Sequence, residues 1–124
     1  MAEACTITEE TFGTVKKVSW SWTSAADGSV GAAAVSTTTT NAYSGKIEML
    51  VTDPGATAPT DNWDLVISDE DGTDVLAGAG ANRDTANTEQ VLAASVGIVA
   101  NDTLTMLVTN AGSGKTGTVY VYIR

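Results

Sequence analysis

Apolar and polar residues alternate with a period of two in short windows along this chain, as in strands that bury one face. Across residues 12–23, Val18, Trp20 and Trp22 share one face and Lys17, Ser19 and Ser21 the other. The same alternation groups Ile47, Met49 and Val51 within residues 46–52, and Trp63, Leu65 and Ile67 within residues 62–68. It returns with Leu104, Met106 and Val108 in residues 103–109, and with Val119, Val121 and Ile123 in residues 116–124. These fifteen residues are the expected core. A further strand is expected within residues 30–40, where the run Thr37, Thr38, Thr39 and Thr40 has no alternation and specifies register weakly. A short strand is expected near residues 74–77, and residues 89–95 fit either a strand or a short helix.

Turn chemistry separates these windows. Asp27-Gly28, Ser44-Gly45, Asp71-Gly72, Asn101-Asp102 and Gly112-Ser113-Gly114 all suit tight turns. Both prolines, Pro54 and Pro59, fall in one loop, and residues 78–88 read as a long surface loop. The pattern predicts an all-β fold of about eight strands, an antiparallel two-sheet β-sandwich with jelly-roll connectivity. Residues 1–10 lie outside the core pattern and are expected to form an N-terminal arm, with residues 11–124 as a single β-sandwich domain.

Composition supports this picture. Twenty threonines and 12 glycines disfavour long helices. A chain of 124 residues, 43% hydrophobic, can bury one core without disulfide or metal staples. The net charge is −9, from 15 acids against 6 bases, and only Lys16 and Lys17 are adjacent bases. Nucleic acid is therefore not an expected partner, because phosphate binding needs clustered cations. A membrane is not expected either: no apolar run approaches the ~18 residues of a span. The acidic N-terminal residues lack a basic, apolar leader, so synthesis in a cytosol without export by a cleaved signal is expected.

Candidate chemistry is sparse. The chain has no histidine, which removes histidine-based acid–base catalysis, Ser-His-Asp triads and histidine metal ligands. The single cysteine, Cys5, cannot form an internal disulfide. Residues 111–116 superficially resemble a phosphate loop, but the required first glycine is Thr109 and a strand follows, so the segment reads as a hairpin turn. Asp61 and Asp64 are a chance carboxylate pair in an acidic chain. Asp69, Asp71 and Asp74, around Gly72, offer oxygen donors for a cation, yet their spacing does not match the twelve-residue calcium loop. A solvated Asp-Gly turn is the simpler reading. No enzyme activity and no cofactor are expected.

The opposite strand faces are more informative. If the core faces point inward, Leu50, Val66, Leu107, Tyr120 and Tyr122 point outward. A free monomer usually keeps such faces polar, so these five are the expected interface.

Four stretches carry a resemblance: Thr11-Phe12-Gly13-Thr14-Val15-Lys16-Lys17-Val18, Ala58-Pro59-Thr60-Asp61-Asn62-Trp63-Asp64, Asp71-Gly72-Thr73-Asp74-Val75-Leu76 and Arg83-Asp84-Thr85-Ala86-Asn87-Thr88-Glu89-Gln90. They resemble small tailed-bacteriophage and prophage virion proteins, and the size and charge are similar to capsid decoration, or cement, proteins. The resemblance implies a structural virion protein bound to the major capsid protein on the capsid exterior, associating with itself as a dimer or trimer. It brings no active-site residues. The alternative expectation is a tail-associated β-sandwich module that binds carbohydrate or a receptor through loops at one end.

Overall fold

The computed structural model describes residues 2–32 and 35–124. Eight strands are present among them: β1 (Ala4–Phe12), β2 (Val15–Thr23), β3 (Tyr43–Pro54), β4 (Asp64–Ser68), β5 (Glu89–Leu92), β6 (Ile98–Asp102), β7 (Thr105–Thr109) and β8 (Thr116–Ile123). They form two antiparallel sheets. The larger has the order β1-β2-β8-β3-β5, with β6 also pairing to β3, and the smaller is β4-β7. The expected two-sheet antiparallel architecture is therefore present, while a division into six and two strands does not identify a jelly roll. No helix among the described residues is long and apolar enough to cross a membrane.

The central ladder follows from alternation. Val18 lies opposite Val121 and Trp20 opposite Val119, all fully buried. Trp22 lies opposite Gly117, where a Cβ would come within 2.6 Å of the Trp22 ring. Only glycine lets the indole lie flat over this backbone. Trp22 then meets Trp63 from the other layer at 5.2 Å between ring centroids, with the planes tilted by 57°. This contact joins the two sheets through a tilted aromatic pair. Trp20 and Trp63 donate their indole N–H groups to the carbonyls of Thr37 and Asp84. Among the described residues, the Trp22 indole nitrogen is the buried side-chain polar atom left without a hydrogen bond.

The structure corrects the expected phase of β3. Ile47 lies opposite Ile123, but Met49, not Glu48, lies opposite Tyr122. A β-bulge inserts Glu48 as an extra residue and flips every later side chain. Leu50, expected at the interface, is fully buried opposite Val121. Met49, expected in the core, is half-buried on the outer face; Val51 shares that register, opposite Tyr120, yet is buried as expected, at 9% exposed.

Two further expectations change. Most of residues 1–10 belong to β1, which pairs with β2 from Ala4↔Thr23 to Phe12↔Val15, so this segment is an edge strand and not an arm. Cys5 and Ile7 alternate onto the core face and pack against the cluster. Residue 1 of the expected arm lies outside the described residues. The strand expected within residues 30–40 reduces to isolated bridges, Val30↔Val108 and Thr38↔Thr105, while residues 33 and 34 lie outside the described residues. Residues 74–77 likewise give one bridge, Ser68↔Asp74, and then turns. Residues 89–95 contain both expected elements, β5 followed by a 3-10 turn at Ala93–Ser95. Strand β6 occupies residues where a turn was expected, with Asn101 at a positive φ of 54° near its end.

Candidate binding surfaces

The five residues expected to form one interface divide three ways. Leu50 is in the core. Tyr120 and Tyr122 lie half-buried on the outer face of the six-stranded sheet. Val66 and Leu107 lie opposite each other on the outer face of β4-β7, on the far side of the molecule. No flat partner can touch all of them.

On the large face, strand register sets the neighbours. One row reads Leu92, Met49, Tyr122, Lys17 and Glu10 across five strands. The next reads Gln90, Val51, Tyr120, Ser19 and Thr8. The Lys17 ammonium lies 5.0 Å from the Tyr120 ring centroid and 5.7 Å from that of Tyr122. A cation at this distance is attracted to the ring faces, which pins both tyrosines against the sheet. Leu92 is 64% exposed and Phe12 58%, and Ile98, opposite Lys46, is 69% exposed. Sequence reasoning missed Met49 and Leu92 on this face, because the bulge that places Met49 there is a property of the pairing.

Charge on this face differs from the rest of the molecule. Its charged positions are Glu10, Glu48 and Asp53 against Lys17, Lys46 and Arg124. Three acids thus meet three of the six bases in the chain. The remaining surface carries the whole net charge of −9.

A cleft of about 450 Å³ opens at the end of the sheet, lined by Glu9, Lys16, Asn41, Tyr43 and their neighbours. Its polar groups are bound to one another. The Glu9 carboxylate accepts the Tyr43 hydroxyl at 2.6 Å and the amides of Thr40 and Asn41 at 2.9 and 3.0 Å. Lys16 donates to the Ser44 carbonyl at 3.0 Å. Burial alone would raise the Glu9 carboxyl, but these hydrogen bonds hold it below the ordinary carboxylate value. Burial and the Glu9 charge push the Tyr43 phenol well up. The arrangement ties β1 to the segment before β3.

The acidic turn is also rearranged. Asp69 and Asp71 are joined by Asp102 of β6, with ligand oxygens all within 4.8 Å. Asp74 is not part of this group: its carboxylate accepts the amides of Leu76 and Gly78. Asp69 likewise accepts the amides of Asp71 and Thr73, closing its own turn. Desolvation, then repulsion from Asp69, Asp71 and Glu70, raises the Asp102 carboxyl. Three carboxylates could contact a hard cation but fall short of the six to eight oxygens that calcium takes. Burial and the neighbouring Glu3 push the Cys5 thiol up to about 11, which disfavours its thiolate near neutral pH. Compared with protein-family models, curated proteins and solved structures, the chain finds no match.

Proposed function

We propose that this chain is a structural protein of a virion that decorates the outside of a capsid shell. The observation that carries the reading is that both layers of the sandwich turn an apolar centre outward. Val66 and Leu107 form one centre, and Tyr120, Tyr122 and Met49, with the exposed Leu92 beside them, the other. A molecule with two opposed adhesive faces can hold a lattice with one and a neighbour with the other. Many weak contacts repeated on a lattice then hold without a single strong site.

Charge supports the exterior position. At −9 the chain is repelled by packaged DNA and tolerated on the outside of the shell. The reading is non-enzymatic: the cleft at Glu9 spends its carboxylate, phenol and ammonium on internal hydrogen bonds. Attachment to the shell is assigned to the Val66–Leu107 face, bordered by the hydrogen-bonded Thr38 and Thr105 hydroxyls.

The test is co-sedimentation of the full chain with shells assembled from major capsid protein. Wild-type protein is expected to pellet with shells, and Val66→Asp with Leu107→Asp to remain in the supernatant while keeping its melting temperature. Absence of shell binding by wild type defeats the reading. Binding to a glycan array without binding to shells replaces it with the carbohydrate- or receptor-binding module.

A further inference from the structure

We infer that the outer face of the six-stranded sheet is a homodimer interface, closed by a two-fold axis that crosses the strands between the Tyr120 and Tyr122 rows. This goes beyond the shell-binding reading and does not rest on it.

The occupant follows first from charge. Two copies of a chain at −9 repel each other wherever acids dominate. The outer face, with Glu10, Glu48 and Asp53 balanced by Lys17, Lys46 and Arg124, has no net charge. A second copy can approach there without a like-charge cost. A strongly cationic partner would gain more from the acidic remainder of the surface, and an anionic membrane would be repelled by that same remainder.

The face is also self-complementary. Tyr122 and Tyr120 are successive outward positions on β8, and Met49 and Val51 are successive outward positions on β3. A two-fold axis between the rows lays Tyr122 over the partner's Tyr120 and Met49 over the position of the partner's Val51, which is itself buried, so the tyrosines and Met49 make the contact. Lys46 and Arg124, joined by reciprocal backbone hydrogen bonds, sit at one end of the face with Glu48 beside them, which leaves that end at +1, and Asp53 lies at the other, opposite Thr118. The same axis brings the cationic end of each copy over the acidic end of its mate. An axis parallel to the strands would instead set the Leu92 edge over the Glu10 edge, apolar on charged. Two-fold closure is the commonest symmetry of homo-oligomers.

The area is sufficient. Five strands at ~4.8 Å spacing and about eight residues at ~3.3 Å cover roughly 600 Å² per copy. Specific interfaces begin near ~1,200 Å² in total for both partners.

The experiment is sedimentation velocity of the full chain over a range of concentrations, at low and high salt. The wild type is expected to run as a dimer. Met49→Glu with Leu92→Glu, the second residue 64% exposed, should run as a folded monomer, with the wild-type far-UV circular dichroism spectrum, at concentrations where wild type is dimeric. Arg124→Glu and Asp53→Arg should each weaken the dimer by about tenfold or more, and together restore it, because the two ends of the face exchange sign. Val66→Asp should leave the dimer intact. A wild type that is monomeric throughout, or trimeric, overturns the inference, as does a Met49→Glu, Leu92→Glu chain that stays dimeric. If the charge-swapped pair fails to restore association, the axis is wrong. A dimer that ignores capsid shells defeats the shell reading alone.

Discussion

In the large sheet, β2 and β8 pair without interruption from Lys16↔Ile123 to Thr23↔Thr116, and alternation sends every second side chain inward. In the facing layer, β4 and β7 pair over Asp64↔Thr109 to Ser68↔Thr105, and the remaining chain is held by isolated backbone bridges such as Val30↔Val108 and Trp63↔Arg83 and by side chains that cap the turns. Asp74 caps two amides, Asp84 accepts from Ala86 and Asn87, and Asp64 accepts from Asn82 and Asn110. Asn62, Ala77, Asn82 and Asn110 take positive φ to make the turns. One layer is specified by a repeating pattern and the other by individual polar residues at individual places. The first should therefore fail through lost packing, and the second through local opening.

The largest effect is expected where the layers meet. Trp63→Ala removes the ring that packs on Trp22 and the bond from its indole nitrogen to Asp84. Such a truncation typically costs about 3–5 kcal/mol. Chemical denaturation should show this loss, and Trp22 fluorescence should shift to the red. A loss below about 1 kcal/mol would mean that the layers are held together elsewhere.

The bulge in β3 provides the next test. Leu50→Ala should cost about 2–5 kcal/mol, because Leu50 is fully buried beside Val121. Met49→Ala, one residue earlier on the outer face, should cost about 0.5 kcal/mol or less in the monomer. Equal losses at the two sites would remove the bulge. Simple alternation from Ile47 gives the opposite order, and this marks how far the sequence can be read. Val18, Trp20 and Trp22, and Val119, Val121 and Ile123, alternate without interruption and reveal both strands. The Glu48 insertion is set by pairing with β8, so nothing local announces it. Cys5, Ile7 and Glu9 do alternate, but the acids at 3, 9 and 10 hide the strand. The approach of Asp102 to Asp69 crosses 33 positions of chain and the gap between layers, and no spacing rule encodes it.

The facing layer should respond to smaller changes. Asp74→Ala frees the amides of Leu76 and Gly78 and should cost about 1 kcal/mol. Asp84→Ala should release the turn at Ala86 and Asn87. Amide hydrogen exchange should speed up at residues 76–88 in both variants and stay unchanged in β2 and β8. Faster exchange spreading into β8 would show that the two layers open as one unit.

The smallest effect concerns two carboxyl groups whose pH dependence has opposite sign. Glu9 lies below its unfolded value, so its hydrogen bonds contribute stability above the unfolded pKa, and this is lost as pH falls through the folded value. Asp102 lies above its unfolded value, because desolvation and the charges of Asp69, Asp71 and Glu70 disfavour its ionised form. Its stabilising contribution is complete below the unfolded pKa and is lost as pH rises through the folded value. Asp102→Asn should therefore raise the melting temperature slightly at pH 7, by relieving repulsion between β6 and the turn after β4. It should change nothing near pH 3, where the wild-type group is already neutral. Glu9→Gln should lower the melting temperature at pH 7 and flatten its fall in acid. Measured from pH 3 to 8, the two differences from wild type should diverge in opposite directions as pH rises. Two curves of the same sign would mean that Asp102 gains more from its surroundings than it loses to the neighbouring acids, and the contact between the layers at that corner would then be attractive.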